Sequence, residues 1–200
     1  MRHISFTPIA VLVLVSLVSA GDIDGKIVKS SGRPFSPDHP SVVWLEGAQP
    51  QTPIKAEVVM AQRSGQFVPS FLVVVAGQTV SMPNEDPIAH NVYSDSPVKR
   101  FNLGYYAKGD IRAVTFDRPG MVDVRCLLHG SMRATILVVP NPYYATVAAD
   151  GSFRIRNVPP GAFALTFWAD GMASFSQAVT VPQDGKLVTV HFLWTNFRSR

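Results

Sequence analysis

The chain is short of several things, and each shortage excludes something. It has one cysteine in 200 residues, so it can form no internal disulfide. Charged residues make up 16% of it, and the net charge is only +4. Dispersed charge of that size excludes a polyelectrolyte tail and gives no basic footprint for nucleic acid. No apolar run approaches the ~20 residues that a membrane-spanning helix needs. A nucleophile elbow, a P-loop and an HExxH helix are all missing, which removes the common hydrolase and nucleotide-binding signatures. No stretch beyond the N-terminus carries strong helical periodicity.

The N-terminus reads MRHISFTPIAVLVLVSLVSA. Arg2 and His3 form a basic start, Ile9 to Val18 is apolar, and Val18-Ser19-Ala20 is a small-residue cleavage site before Gly21. This predicts a secretory signal over residues 1–20, with the periplasm as destination. A membrane anchor is the competing reading, and the shortness of the apolar run weighs against it. Export sharpens the question of the lone thiol. A free cysteine in an oxidising compartment is open to oxidation and unwanted dimers. Cys126 is therefore either buried and inert or committed as a metal thiolate.

Beyond the signal, Gly, Pro, Asn and Asp punctuate the chain at short intervals. Between them lie "GKIVKS", "SVVWLEG", "KAEVVMAQ", "FLVVVAG", "MVDVRC", "ATILVV", "SFRIRN", "FALTFWA" and "LVTVHFLW". Short β-rich runs bounded by turn residues predict an all-β chain of sandwiches or barrels. "FNLGYYAKGD" reads as loop or short strand with turns. A break at "PNPYY" separates residues 54–139 from residues 140–195.

Four side chains carry the chemistry: His90, Cys126, His129 and Met132. Two imidazoles, a thiolate and a weak axial thioether are the donor set of a type 1 copper site. Three of them sit in one C-x-x-H-x-x-M loop, and His90 lies about 36 residues upstream, arriving from a neighbouring strand. Each alone has a bland reading: a core histidine, a buried cysteine, a loop histidine, a core methionine. A structural zinc would favour more Cys or His and no Met. A two-copper centre would need a second thiolate.

"FVPSFLVVVAGQTVSMPNEDPIAHNVYS" followed by "VTFDRPGMVDVRCLLHGSMRATILVV" resembles a cupredoxin of the plastocyanin and amicyanin kind. The resemblance covers roughly residues 55–139 and implies a Greek-key β-sandwich. It implies one type 1 copper ion held by His90, Cys126, His129 and Met132. Ala89 stands where a proline often precedes the first histidine. Leu127 stands where many members have Ser or Thr, whose hydroxyl helps tie the two ligand loops together beside Asn91. Gly130 stands where a proline or a bulky residue is common.

"VAADGSFRIRNVPPGAFALTFWADGMASFSQAVTV" resembles a second, smaller β-sandwich of the transthyretin or carboxypeptidase-regulatory-like type. It brings no functional residues, and some relatives of that fold bind carbohydrate. "GDIDGKIVKSSGRPFSPDHPSVVWLEG" reads like the first two strands of the same sandwich. Residues 21–50 would then complete 140–195, with the copper domain inserted between them. A tandem pair is the alternative. The combination resembles exported cupredoxin proteins of the methylamine-utilization type, a label that names no substrate.

These readings predict a periplasmic electron carrier and not an enzyme, with a protein redox partner. Lys99, Arg100, Lys108, Arg112, Arg118, Arg125 and Arg133 fall around the ligand loop and would steer an acidic partner; a solvated surface with scattered charges is the competing view. Leu127 and Leu128 would form an apolar docking patch. A copper carrier or chaperone remains open. So does a non-redox binding module in which Trp44, Trp168, Trp194, Tyr143 and Tyr144 contact a glycan or protein, although strand alternation favours core positions for several of them. No nucleic-acid partner and no membrane span after signal cleavage are expected.

Overall fold

A computed structural model describes residues 19–36, 39–49, 57–171 and 174–194. The signal-like stretch, apart from Ser19 and Ala20, lies outside them. Among the described residues there are seventeen strands and no helix. The expected all-β class is the observed one. Local patterning shows why: in Ser152–Val158, Phe153 and Ile155 are buried while Arg154 and Arg156 face solvent, the period of two that a half-buried strand imposes.

The first strands are β1 (Gly21–Lys29) and β2 (Ser41–Glu46). The central stretch holds β3 (Val58–Val59), β4 (Ala61–Arg63), β5 (Gln66–Val68), β6 (Phe71–Val75) and β7 (Gln78–Pro83). It continues with β8 (His90–Ser94), β9 (Phe101–Tyr106), β10 (Ile111–Phe116), β11 (Gly120–Arg125) and β12 (Arg133–Val139). A five-stranded sheet runs β6-β12-β11-β8-β9 and a three-stranded sheet β10-β7-β3, with β4–β5 as a separate hairpin. Val74, Val80, Val92, Phe116, Val122, Val124 and Ile136 fill the space enclosed by these strands, with Cys126 and Met132 in the same cluster.

The last strands are β13 (Tyr144–Thr146), β14 (Ser152–Val158), β15 (Gly161–Ala169), β16 (Phe175–Val181) and β17 (Val188–Trp194). β1 and β2 pair with these and not with the central strands. The sheets are β14-β1-β17 and β13-β2-β15-β16. Ile27 lies opposite Phe192, and Val43 lies opposite Ala145 and Phe167. Ile23, Ile27, Val43, Leu45, Ile155, Leu165 and Phe167 form their core. At the break, Asn141 donates through Nδ2 to the Leu45 carbonyl at 2.6 Å and accepts the Tyr143 N–H at 3.1 Å.

A third cluster joins the two sets of strands: Val42, Val75, Leu137, Val139 and Trp168, with Phe71 stacked on Trp168 at 5.7 Å between ring centroids. β2 therefore buries Val42 on one face and Val43 on the other, which is why "SVVWLEG" does not alternate. Trp168 and Tyr143 are buried, and Trp44 and Tyr144 are half-buried, so these aromatics are mostly committed to packing.

The segment expected as loop or short strand with turns is the strand, with its turn at Lys108 and Gly109. Residues 101–106 form a full strand paired antiparallel with β8. Asn102 and Gly104 give the segment a turn-like look. Instead, Asn102 Oδ1 accepts the Gly104 N–H, and Gly104 takes a left-handed φ of 69°. This irregularity is absorbed as a register shift between Asn91 and Tyr93, and the ladder continues on both sides.

Candidate metal centre

The ligand loop is built by strand adjacency. β8 begins with His90, and β11 ends one residue before Cys126. The two strands are neighbours, with Arg125 opposite Tyr93, so His90 and Cys126 emerge at the same end of one sheet. The chain then closes a short loop into β12. Met132 N–H donates to the His129 carbonyl at 2.9 Å, and Cys126 N–H donates to the Met132 carbonyl at 3.3 Å.

These constraints bring three donors together. His90 Nδ1 lies 3.2 Å from His129 Nδ1. Cys126 Sγ lies 4.0 Å from His90 Nδ1 and 3.8 Å from His129 Nδ1. His90 and Cys126 are buried and His129 is half-buried. Met132 is buried in the same core cluster. The donor set passes a simple test of fit. A first-row ion bonds imidazole nitrogen at about 2.0–2.1 Å and thiolate sulfur at about 2.3 Å. Two such bonds reach across more than each observed separation, so one ion could touch all three atoms. Two imidazoles and a thiolate form a donor set that suits a copper ion.

Asp86 is the residue that sequence reasoning missed. His90 Nε2–H donates to Asp86 Oδ2 at 2.8 Å, which leaves the Nδ1 lone pair facing Cys126 and His129. Asp86 also accepts the backbone N–H groups of Ser64 and Gly65 from the tip of the β4–β5 hairpin. Burial pushes its carboxyl up, but the hydrogen bonds from Gly65, His90 and Ser64 outweigh that and hold it below the usual carboxylate range. A ligating histidine regularly gives its second N–H to such an acceptor. The "D-P-I-A-H" spacing in "NEDPIAH" was the available signal.

Asn91 Nδ2 donates to Asn102 Oδ1 at 2.8 Å, while its buried Oδ1 has no hydrogen-bond partner. Leu127 offers no hydroxyl, and Leu127, Leu128 and Ile88 are each exposed apolar side chains. Beneath the site, the Tyr106 hydroxyl donates to the Met82 carbonyl at 2.8 Å and accepts from Gln62 Nε2. Burial pushes the Tyr106 phenol up to about 12.

Several of the basic residues singled out earlier are already engaged. Lys99 pairs with Asp117 at 3.2 Å, and Arg125 pairs with Asp123. Arg100 and Arg133 donate to the Asp95 and Gly130 carbonyls. Arg112 donates to the Leu103 carbonyl and lies 5.2 Å from the Tyr106 ring centroid.

Comparison with known proteins gives partial likenesses. A family described as polysaccharide lyase family 4, domain II, matches residues 140–190. No curated protein matches the chain. Among solved structures, a purple cupredoxin from Nitrosopumilus maritimus is 21% identical, covering 42% of this chain and 100% of that one, with a TM-score of 0.39. An oxidized amicyanin variant is 24% identical over 42% of this chain and 82% of its own, with a TM-score of 0.40. A Cu(I) amicyanin variant is 20% identical over 48% of this chain and 98% of its own, with a TM-score of 0.40. What the centre can hold is set by its own atoms.

Proposed function

We propose that the chain is an exported, cupredoxin-like copper protein that carries single electrons between partners. The observation that supports this reading best is the buried convergence of His90 Nδ1, Cys126 Sγ and His129 Nδ1 within 4.8 Å of one another. In this reading Met132 adds the weak axial thioether. Bound copper supplies the one-electron couple.

The chain's own residues do the rest. Cys126 gives the negative donor and the route into β11. Asp86 fixes the tautomer and orientation of His90. Two paired strands and a hydrogen-bonded loop hold the donors in place, so little rearrangement accompanies a change of charge. His129, half-buried behind Leu127 and Leu128, is the edge that faces a partner. The role is that of a carrier and not a catalyst.

The domain reading follows the strand pairing: a copper domain over 54–139 inserted into a sandwich of 21–50 and 140–195, the latter of carboxypeptidase-regulatory-like type. Periplasmic export rests on the N-terminal pattern. Steering of an acidic partner rests on the basic residues at the ligand-loop end of the sheet, of which Lys108 and Arg133 are exposed and open to test, whereas Lys99, Arg100 and Arg118 lie at the opposite end of β8 and β11. Reversing both should lower the association rate with an acidic redox partner and flatten its salt dependence in stopped-flow. An unchanged rate at low salt contradicts steering. Copper binding itself is tested by titrating metal-free protein with Cu(II) and following the visible spectrum.

A further inference from the structure

A second site lies in the other sandwich, in residues that the copper reading does not use. A cavity of about 230 Å3 opens between the turn after β1 and the loop before β14. Its walls are tied together. Ile27 N–H donates to the Gly151 carbonyl at 2.9 Å, and Phe35 N–H donates to the Ala149 carbonyl at 2.9 Å. Gly151 permits this approach. It sits at a φ of 86°, and a Cβ there would lie 2.1 Å from the Ile27 carbonyl oxygen.

The lining has a distinctive charge. Lys26, Lys29 and Arg33 face one carboxylate, Asp150, which Lys26 approaches at 3.6 Å. Lys29 is held in position: its Nζ donates to the Pro34 carbonyl at 2.9 Å and stands 4.1 Å over the Phe35 ring centroid. Burial also lowers its pKa. A site with an excess of cations and preset donors favours an anion. Phe35 and Ala149 also line a second cavity, of about 220 Å3, whose wall includes Pro40, Thr146 and Val147. The groove therefore has a cationic lobe and a largely apolar lobe, with the buried Phe35, packed edge-on against Phe167, as a wall common to both. An inorganic anion would fill the first and leave the second unused. Each lobe is smaller than the ~300 Å3 at which drug-sized sites begin, so the fit is to a single ring or a short chain.

We propose that this groove binds a small organic carboxylate, its charged group held by Lys26, Lys29 and Arg33 and its carbon body against Pro40 and Val147. A uronate unit of an acidic polysaccharide and a free organic acid share this chemistry.

The test is a two-dimensional NMR titration of the full chain with galacturonate, oligogalacturonate, benzoate, galactose and sulfate. At least one of the three carboxylates should shift the amides of Gly32, Phe35 and Ala149 saturably, at concentrations where galactose and sulfate do not. Tighter binding of the oligomer than the monomer assigns the site to a polymer; any other order among binding carboxylates assigns it to a free acid. The double variant Lys26→Gln with Arg33→Gln should weaken binding at least about tenfold, and Lys26→Arg with Arg33→Lys should retain it. Amides around His90 and Cys126 report whether each variant is folded and should stay in place. The proposal is overturned if no carboxylate binds, if galactose or sulfate binds as tightly, or if the folded charge-neutral variant binds as the parent does.

Discussion

Asp86 shows how one side chain couples a remote hairpin to the candidate metal donors. Two amides from residues 64 and 65 hold the carboxylate, and the carboxylate holds His90. Asp86→Asn keeps the size of the group but gives up the charge and replaces one acceptor oxygen with a donor. Copper affinity, measured by competition with a chelator, should fall about 10–100-fold, the usual effect of losing an outer partner of a ligating histidine. An unchanged affinity would mean that the β8 backbone alone orients the ring. The three donors that converge, His90, Cys126 and His129, were legible in the sequence because they fall within one loop and one flanking strand. Asp86 was harder to see. The D-P-I-A-H spacing could place it beside His90, but the amides of residues 64 and 65 that hold it arrive from more than twenty residues away, which no local spacing reports.

At the scale of elements, β1 is held between β14 and β17, antiparallel to one and parallel to the other. Arg154 on β14 makes a two-pronged ion pair with Asp24 on β1. The hydrogen bond from Arg154 and its positive charge lower the Asp24 pKa, against a smaller opposing effect of burial. A carboxyl whose folded pKa lies below its unfolded value stabilises the fold above about pH 4 and loses that contribution as pH falls through the folded value. Urea unfolding should show Asp24→Asn less stable than the parent at neutral pH, with the gap narrowing below about pH 4. A gap that stays constant into acid would show that the ion pair contributes nothing through charge. The strands themselves were readable from β-branched runs and turn residues. β9 was legible only as loop or short strand, because Asn102 and Gly104 mimic a loop, and the ladder with β8 decides for the strand.

For the whole molecule, the contact between the two sets of strands decides whether they behave as one body. Phe71 of β6 stacks on Trp168 of β15 at an interplanar angle of 8°, within a cluster that includes Val42, Val75, Leu137 and Val139. Trp168 is 8% exposed, so Trp168→Ala should cost about 3–5 kcal/mol in chemical denaturation. The visible spectrum of the copper-loaded protein should stay the same, since the cluster touches none of the candidate ligands. A loss under 1 kcal/mol, on the same measure of about 3–5 for a buried aromatic, would show that the two cores are stable without this contact. Sequence patterning could suggest the late partners of β1 and β2 from similar strand motifs. It could not reveal this interface, because a strand buried on both faces looks like an uninterrupted apolar run.

The most direct test of the copper reading is titration of the metal-free protein with Cu(II), followed by visible absorption and electron paramagnetic resonance, beside Cys126→Ser. The account predicts one equivalent bound, an intense thiolate-to-copper band with a type 1 resonance, and loss of that band in the variant. A folded protein that takes up no copper, or gives the same spectrum with and without Cys126, would contradict it.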